Sequence, residues 1–289
     1  MITTILDIVI AGLLMGGIYA IIAVGLSLQY GVAKVFNVSH GQFIMLGAFG
    51  TWILFTSYNI NPLLSLIMCA PVLFILGFII HKTIFRNLLK TSKIIDVFES
   101  KSMLVAFGLM YIIQNIAILI WGSDIKGYAY MNSPINIGGA IFPANRLVTL
   151  LFALAIGAVF YLFLSRTRLG KAIRASAQDP AAAGLMGVNI NQVLALCFGL
   201  GAMMASFAGT LLSLCFPIKA TMGMEYTVIA IIIVALGGLG SIVGSFIGGF
   251  ILGIISSIVT YLEPSLSLVA YYVIFILMLL IKPKGIMGK

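Results

Sequence analysis

No Asp or Glu falls in the middle of any of the nine long apolar runs that make up most of this 289-residue chain. The runs are Ile5–Tyr30, Phe43–Tyr58, Leu63–Ile84, Met103–Trp121, Leu147–Leu164, Val193–Phe216, Tyr226–Leu236, Ile242–Leu262 and Leu266–Ile281. Hydrophobic residues are 62% of the chain and charged residues 8%, against about 25% charged in an ordinary soluble domain. So few charges cannot coat a globule, so lipid must solvate most of the surface. Runs this long and uniformly apolar are too regular for ten-residue alternating strands. Within a bilayer only helices then satisfy every backbone N–H and C=O. The expected fold is all-α: a polytopic transmembrane helical bundle of about eight or nine spans, forming one domain over residues 1–289.

The net charge of +9 is clustered. Lys82, Arg86, Lys90, Lys93 and Lys101 sit in one connection, Arg166, Arg168, Lys171 and Arg174 in another, and Lys282, Lys284 and Lys289 at the end. These are 12 of the 16 basic residues, so the positive-inside rule places all three clusters in the cytoplasm. Gly122–Arg146 is then an outer hairpin tip, and its 127–145 part reads as a short irregular or β-like excursion. The C-terminus is inside. With nine crossings the N-terminus is outside, and Met1–Asp7 hold no Lys or Arg, so a cleaved signal peptide is not expected. With most basic residues in these connections and no aromatic-basic surface outside them, nucleic-acid binding is not expected.

Two breaks interrupt the pattern. Gly31 to Gly41 separates the first two runs, and Gly237-Gly238-Leu239-Gly240-Ser241 separates two later ones. Each is followed by a helix rich in small residues. Paired glycine interruptions suggest an internal repeat with broken or re-entrant helices beside a permeation path, the alternative being ordinary surface loops. Gly240, Gly244 and Gly248, Gly249 and Gly253, and Gly201, Ala205 and Gly209 recur every four residues, which lets helix backbones approach closely.

The chemistry-bearing residues are few. The seven acids (Asp7, Asp96, Glu99, Asp124, Asp179, Glu225 and Glu263) all lie at run ends or in connections, which argues against a proton-driven carrier. His40 and His81 are the only histidines, no HExxH or P-loop spacing occurs, and Cys69, Cys197 and Cys215 are isolated. No metal, cofactor or catalytic set is expected, and the inventory is that of a conduit without its own engine. One cytoplasmic stretch is different. Asp179 is a good N-cap, Pro180 suits the first helical position and Gly187 suits the C′ position. The two-turn, alanine-rich helix between them is too short to be stable alone and calls for a partner surface or for packing on the bundle.

Three stretches carry a resemblance: Gly25 to Ala48 with its Asn37-Val-Ser39-His40-Gly41 run, Arg174 to Asn189, and Ala235 to Ser245 with Lys282-Pro-Lys-Gly-Ile-Met-Gly288. Phe107-Gly108, Gln114-Asn115 and Trp121 to Asp124 match in order. Over essentially its whole length the chain resembles the permease subunits of branched-chain amino acid ABC importers, and the H-type of the usual pair in particular. The resemblance implies a bacterial or archaeal plasma-membrane subunit working with a second, paralogous permease, two cytoplasmic P-loop ATPases and an extracytoplasmic binding protein. It implies a coupling helix formed by Asp179, Pro180, Ala181, Ala182, Gly184, Leu185, Met186 and Gly187, braced by Arg174. Candidates for the translocation path are Asn37, Ser39, His40, Gly41, Gln42, Gln114, Asn115, Gly237, Gly238, Gly240 and Ser241. The family's residue after the Asn-x-x-His-Gly run is usually acidic, whereas Gln42 stands here. Replacing His40 by Ala is expected to alter transport more than folding. Related permeases carry urea, short amides or other small polar solutes, and a stand-alone channel or secondary carrier is a different class of reading. An intramembrane enzyme is the poorest fit.

Overall fold

A computed structural model describes residues 2–92, 94–137 and 140–288. Met1, Lys93 and Lys289 of the terminal and cluster expectations lie outside the described residues, as do Gly138 and Gly139 of the outer excursion. The chain runs α1 (Ile2–Ala33), α2 (His40–Tyr58), α3 (Pro62–Ile80), a π-helical turn (His81–Phe85), α4 (Arg86–Thr91), α5 (Ile95–Trp121), β1 (Pro134–Ile137), β2 (Ala140–Pro143), α6 (Ala144–Arg166), α7 (Arg168–Gln178), α8 (Pro180–Leu185), α9 (Ile190–Cys215), α10 (Met222–Gly237), α11 (Ile242–Leu262), a 3-10 turn (Pro264–Leu266) and α12 (Ser267–Ile281).

Seven helical segments among the described residues are long and apolar enough to cross a membrane. Two of the nine expected runs fall short of that standard. α10 has 16 residues, about 24 Å of helix against a hydrocarbon core of about 30 Å. α2 has 19 but opens on the polar His40-Gly41-Gln42.

Three expectations about the connections are corrected. The region from Lys82 to Lys101 is not a loop: α3 continues through the π turn into α4, and α5 starts at Ile95. Helix-favouring Lys, Leu and Arg let the helix continue past the end of the apolar run. The first break is shorter than expected, because Gly31 is still helical and only residues 34–39 depart from helix. A helix not anticipated, α7, follows α6, buries Gly170, Ile173 and Ser176 along one side, and is capped by Thr167, whose Oγ1 accepts from the Gly170 amide. The excursion between α5 and α6 contains an antiparallel hairpin, β1–β2, the one strand pair among the described residues of an otherwise helical fold.

The interior is organised around α1 and α9, the most enclosed of the spanning helices. α1 packs antiparallel on α11 with almost nothing but backbone between them. A Cβ on Gly12 would fall 2.8 Å from Ile254 Cα, one on Gly16 2.8 Å from Phe250 Cα, and one on Gly31 2.9 Å from Gly240 Cα. The glycine ladders serve this close approach, but each serves more than one neighbour. Gly249 and Gly253 face Ala20 and Gly16 of α1, whereas Gly244 and Gly248 face Gly237 and Ile233 of α10. On α9, Gly201 lies against Gln29 and Gly209 against Ile44. Helices this close gain dispersion contacts and leave no room for lipid. By contrast α3, α5, α6 and α12 present wide apolar faces outward, with Ile67, Leu104, Leu119, Leu151, Leu280 and Ile281 all exposed.

Candidate functional site

The two short helices begin beside one another inside the bundle. The Gly41 amide donates to Thr227 Oγ1 (2.9 Å), and a Cβ on Gly223 would collide with the Gln42 side chain. From that meeting point they diverge. α2 runs to the excursion between α5 and α6, where Phe55 packs on Tyr128 at 4.8 Å, while α10 runs to Gly237, beside the C-terminal segment. The start of α2 is deep. His40 Nε2 donates to Ile22 O at 3.0 Å, eleven residues before the end of α1 and so about 16 Å along it.

A polar cluster fills this meeting point. Gln29 holds it together: its Nε2 donates to Phe198 O (3.0 Å), and its Oε1 accepts from Asn37 Nδ2 (3.0 Å) and lies 3.3 Å from His40 Nδ1. Asn37 Oδ1 accepts from the Ser39 amide (3.1 Å) and hydroxyl (2.6 Å), an Asx-type turn that ends the first break and starts α2. Thr227 Oγ1 lies 3.0 Å from both Val38 O and Gly223 O, so its proton serves one of these carbonyls while its lone pair takes the Gly41 amide. All these side chains are buried. Every member but one has a close partner. Gln42 Nε2 reaches Gln114 Oε1 only at 3.4 Å, and Gln42 Oε1 has none among the described residues.

The early candidates Asn37, Ser39, His40, Gly41 and Gln42 are therefore brought together, and Gln114 reaches them from α5. Asn115 is not with them: it is exposed and donates to Tyr111 O of its own helix at 2.8 Å. Successive helical residues point about 100° apart, so Gln114 and Asn115 cannot face one site. Gln29 and Thr227 were missed. Both lie inside apolar runs, and no local motif marks either one.

The late candidates form a second knot at the other end of α10. Gly237 packs on Gly244, and Ser241 caps α11, its Oγ accepting from the Gly244 amide (3.1 Å). Gly240 has φ +81, a left-handed backbone that glycine adopts without strain, and its Cα rests on Gly31. Ile286 N donates to Leu236 O (2.8 Å) and Met287 N to Gly237 O (3.1 Å), so the C-terminal segment closes the carbonyl end of α10, and Gly238 sits against Gly285 and Gly288. The early and late groups are two sites, bridged by the length of α10.

The third group is α8. Asp179 Oδ1 accepts from the amides of Ala181 (2.9 Å) and Ala182 (3.0 Å), Pro180 is the first helical residue, and Gly187 has φ +86. Only Ala183 of α8 is buried, while Leu185 is 90% and Met186 86% exposed. Arg174 Nη2 donates to Ser165 O at 3.2 Å, tying α7 back to the end of α6. The arrangement is a rigid, capped, weakly polar helix held away from the bundle by α7 and α9.

Titratable chemistry is sparse. Among the described residues no group of three or more His, Cys, Asp or Glu is placed to hold a metal ion. In the excursion between α5 and α6, burial pushes the Tyr128 phenol up to about 12, so it stays a neutral donor to Ser213, whose own proton goes to Thr210 O.

A family model described as the permease component of branched-chain amino acid transport systems matches residues 8–281. The chain is 29% identical to the high-affinity branched-chain amino acid transport system permease protein LivH of Salmonella typhimurium, covering 96% of this chain and 94% of that one. It is 28% identical to BraD, named likewise, of Pseudomonas aeruginosa, covering 80% and 78%. A probable LivH of Methanocaldococcus jannaschii is 29% identical, covering 93% and 88%. Among solved structures, PsaBC from Streptococcus pneumoniae in complex with Fab is similar in fold, with a TM-score of 0.52 at 13% identity over 95% of this chain and 91% of that one.

Proposed function

The chain belongs to the branched-chain amino acid transport permease family, and from that premise we propose that it is the membrane-spanning permease subunit of an ATP-driven ABC importer. Its cargo would be hydrophobic, branched-chain amino acids handed over by an extracytoplasmic binding protein. The observation that carries the reading is α8: a capped helix with Leu185 and Met186 standing free has the form of a docking element for a soluble partner, here one of two cytoplasmic ATPases. Closure of the ATPases would move α8 as a rigid body, and α7 and α9 would pass that motion to the bundle.

The path would run beside the meeting point of α2 and α10. The N-terminus of α2 there presents a positive dipole end at depth, suited to a carboxylate, while the amides of Gln42 and Gln114 offer neutral polar contacts. A neutral path fits a zwitterion that must pass and not stay, with selectivity left to the binding protein. A second permease would cover the exposed faces and complete the conduit. In this reading α2 and α10 count with the seven long spans, giving nine embedded segments. The basic clusters and C-terminus face the cytoplasm and the N-terminus faces outward.

The test is to tag the chain in its native membrane, solubilise it gently and identify what co-purifies. A P-loop ATPase and a second permease are expected. Recovery of the chain alone, moving solute in liposomes without ATP, would replace the importer with a channel or carrier.

A further inference from the structure

At the end of the bundle that carries the basic clusters lies a cavity of about 370 Å³ between the extension of α3 and the start of α9. Lys82 and Arg86 form one wall, Asn191 and Gln192 the other, and Phe78 and Leu196 supply an apolar floor. The π turn between α3 and α4 spans His81–Phe85, so it lies between Phe78 and Arg86 on the first wall. No Asp or Glu lines the cavity. Among the described residues neither Lys82 nor Arg86 makes an ion pair, and Arg86 Nε is sealed from solvent with no hydrogen-bond partner. α9 adds its positive dipole end and has no acid in its first turn. Two cations without an acidic partner (Lys82 Nζ lies over the Phe78 ring, 6.0 Å from its centroid), two side-chain amides and a helix N-terminus thus converge on a space lined by no acid.

We infer that this cavity binds the phosphate group of an anionic phospholipid from the adjacent leaflet. Lys82 and Arg86 would hold the phosphate, the amides of Asn191 and Gln192 would donate to the headgroup, and the Phe78 and Leu196 floor would receive the glycerol end of the acyl chains. The apolar floor and the position at the end of a 30-residue apolar helix favour a lipid over free phosphate. Asn189, which caps α9 and lines the same cavity, is two residues beyond Gly187 at the end of α8, so an occupied cavity would brace the base of α8.

The experiment is native mass spectrometry of the full chain, purified in detergent and offered phosphatidylglycerol or phosphatidylethanolamine. Phosphatidylglycerol should be retained preferentially. Lys82→Gln with Arg86→Gln should lower that retention on the order of tenfold or more, since each fixed cation favours anionic lipid by roughly fivefold. Arg166→Gln with Arg168→Gln, in a different basic cluster, should leave it unchanged. Should the first pair fail to fold, Gln192→Glu places a carboxylate in the same cavity with both cations kept, and should lose the lipid too. Equal retention by the variants, or no preference between the two lipids, would overturn the site. Displacement of the lipid by millimolar inorganic phosphate, with a phosphate adduct in its place, would make free phosphate the occupant and overturn the lipid assignment.

Discussion

Gly31 and Gly240 meet backbone to backbone: a Cβ on the first would lie 2.9 Å from the Cα of the second, and a Cβ on the second 3.1 Å from the Cα of the first. The last turn of α1 and the later glycine-marked break, more than 200 residues apart in sequence, thereby touch, and the contact closes the end of the α1–α11 pair.

That contact leaves no room for a side chain. Gly31→Val should destabilise the folded protein by about 1–3 kcal/mol or more, seen as a lower thermal unfolding midpoint in detergent. Gly108→Ala is the control, since nothing lies within 4 Å of its added methyl group. It should be neutral or slightly stabilising, as alanine is the better helix former. Equal loss from both would mean that the close approach contributes nothing.

Thr227→Val should be costly for a different reason. The valine fits the space but leaves the Gly41 amide without its partner inside the bundle. A buried unpaired donor costs about 1–3 kcal/mol, and Thr227→Ser should recover most of it. Thermal unfolding of the three proteins side by side decides the matter; a serine variant as weak as the valine would point to the methyl group instead.

For His40→Ala the structure adds a folding cost to the expected transport effect. The substitution strips a partner from Ile22 O and leaves space beside Gly25. Uptake divided by the amount of folded, inserted protein separates the two contributions. The transport role predicts that this normalised uptake falls by more than the folded amount does. Unchanged normalised uptake would make His40 a packing residue.

Ala182 is exposed on α8, so Ala182→Arg should insert and fold normally. In the importer reading it places a bulky cation in the contact with the ATPase and should abolish ATP-dependent uptake. Asp179→Ala, which removes two hydrogen bonds to the first turn of α8, should weaken that helix by about 1 kcal/mol and uptake only partly, and Asp179→Asn should restore the cap. Normal uptake by the arginine variant would remove α8 from the coupling role.

What could be read from sequence was whatever the bilayer dictates locally. Apolar run length gave the helices, and Asp179, Pro180 and Gly187 gave α8 with its cap, because both signals lie within a few residues of what they specify. Gln29 and Thr227 were illegible because their roles depend on Phe198 and Gly41, contacts 169 and 186 residues away. α7 was hidden by its basic residues, which read as a loop, although Gly170, Ile173 and Ser176 repeat at helical spacing. Asn115 was grouped with Gln114 by adjacency, which on a helix separates side chains.

The bond from the Gly41 amide to Thr227 also sets an order of events during synthesis. At about 5–20 residues per second, the 186 residues between them take roughly 10–40 s to emerge from a ribosome. For that interval the Gly41 amide lacks the partner that it has in the finished fold. The contact between the start of α2 and α10 is in effect timed by the translation of the last third of the chain.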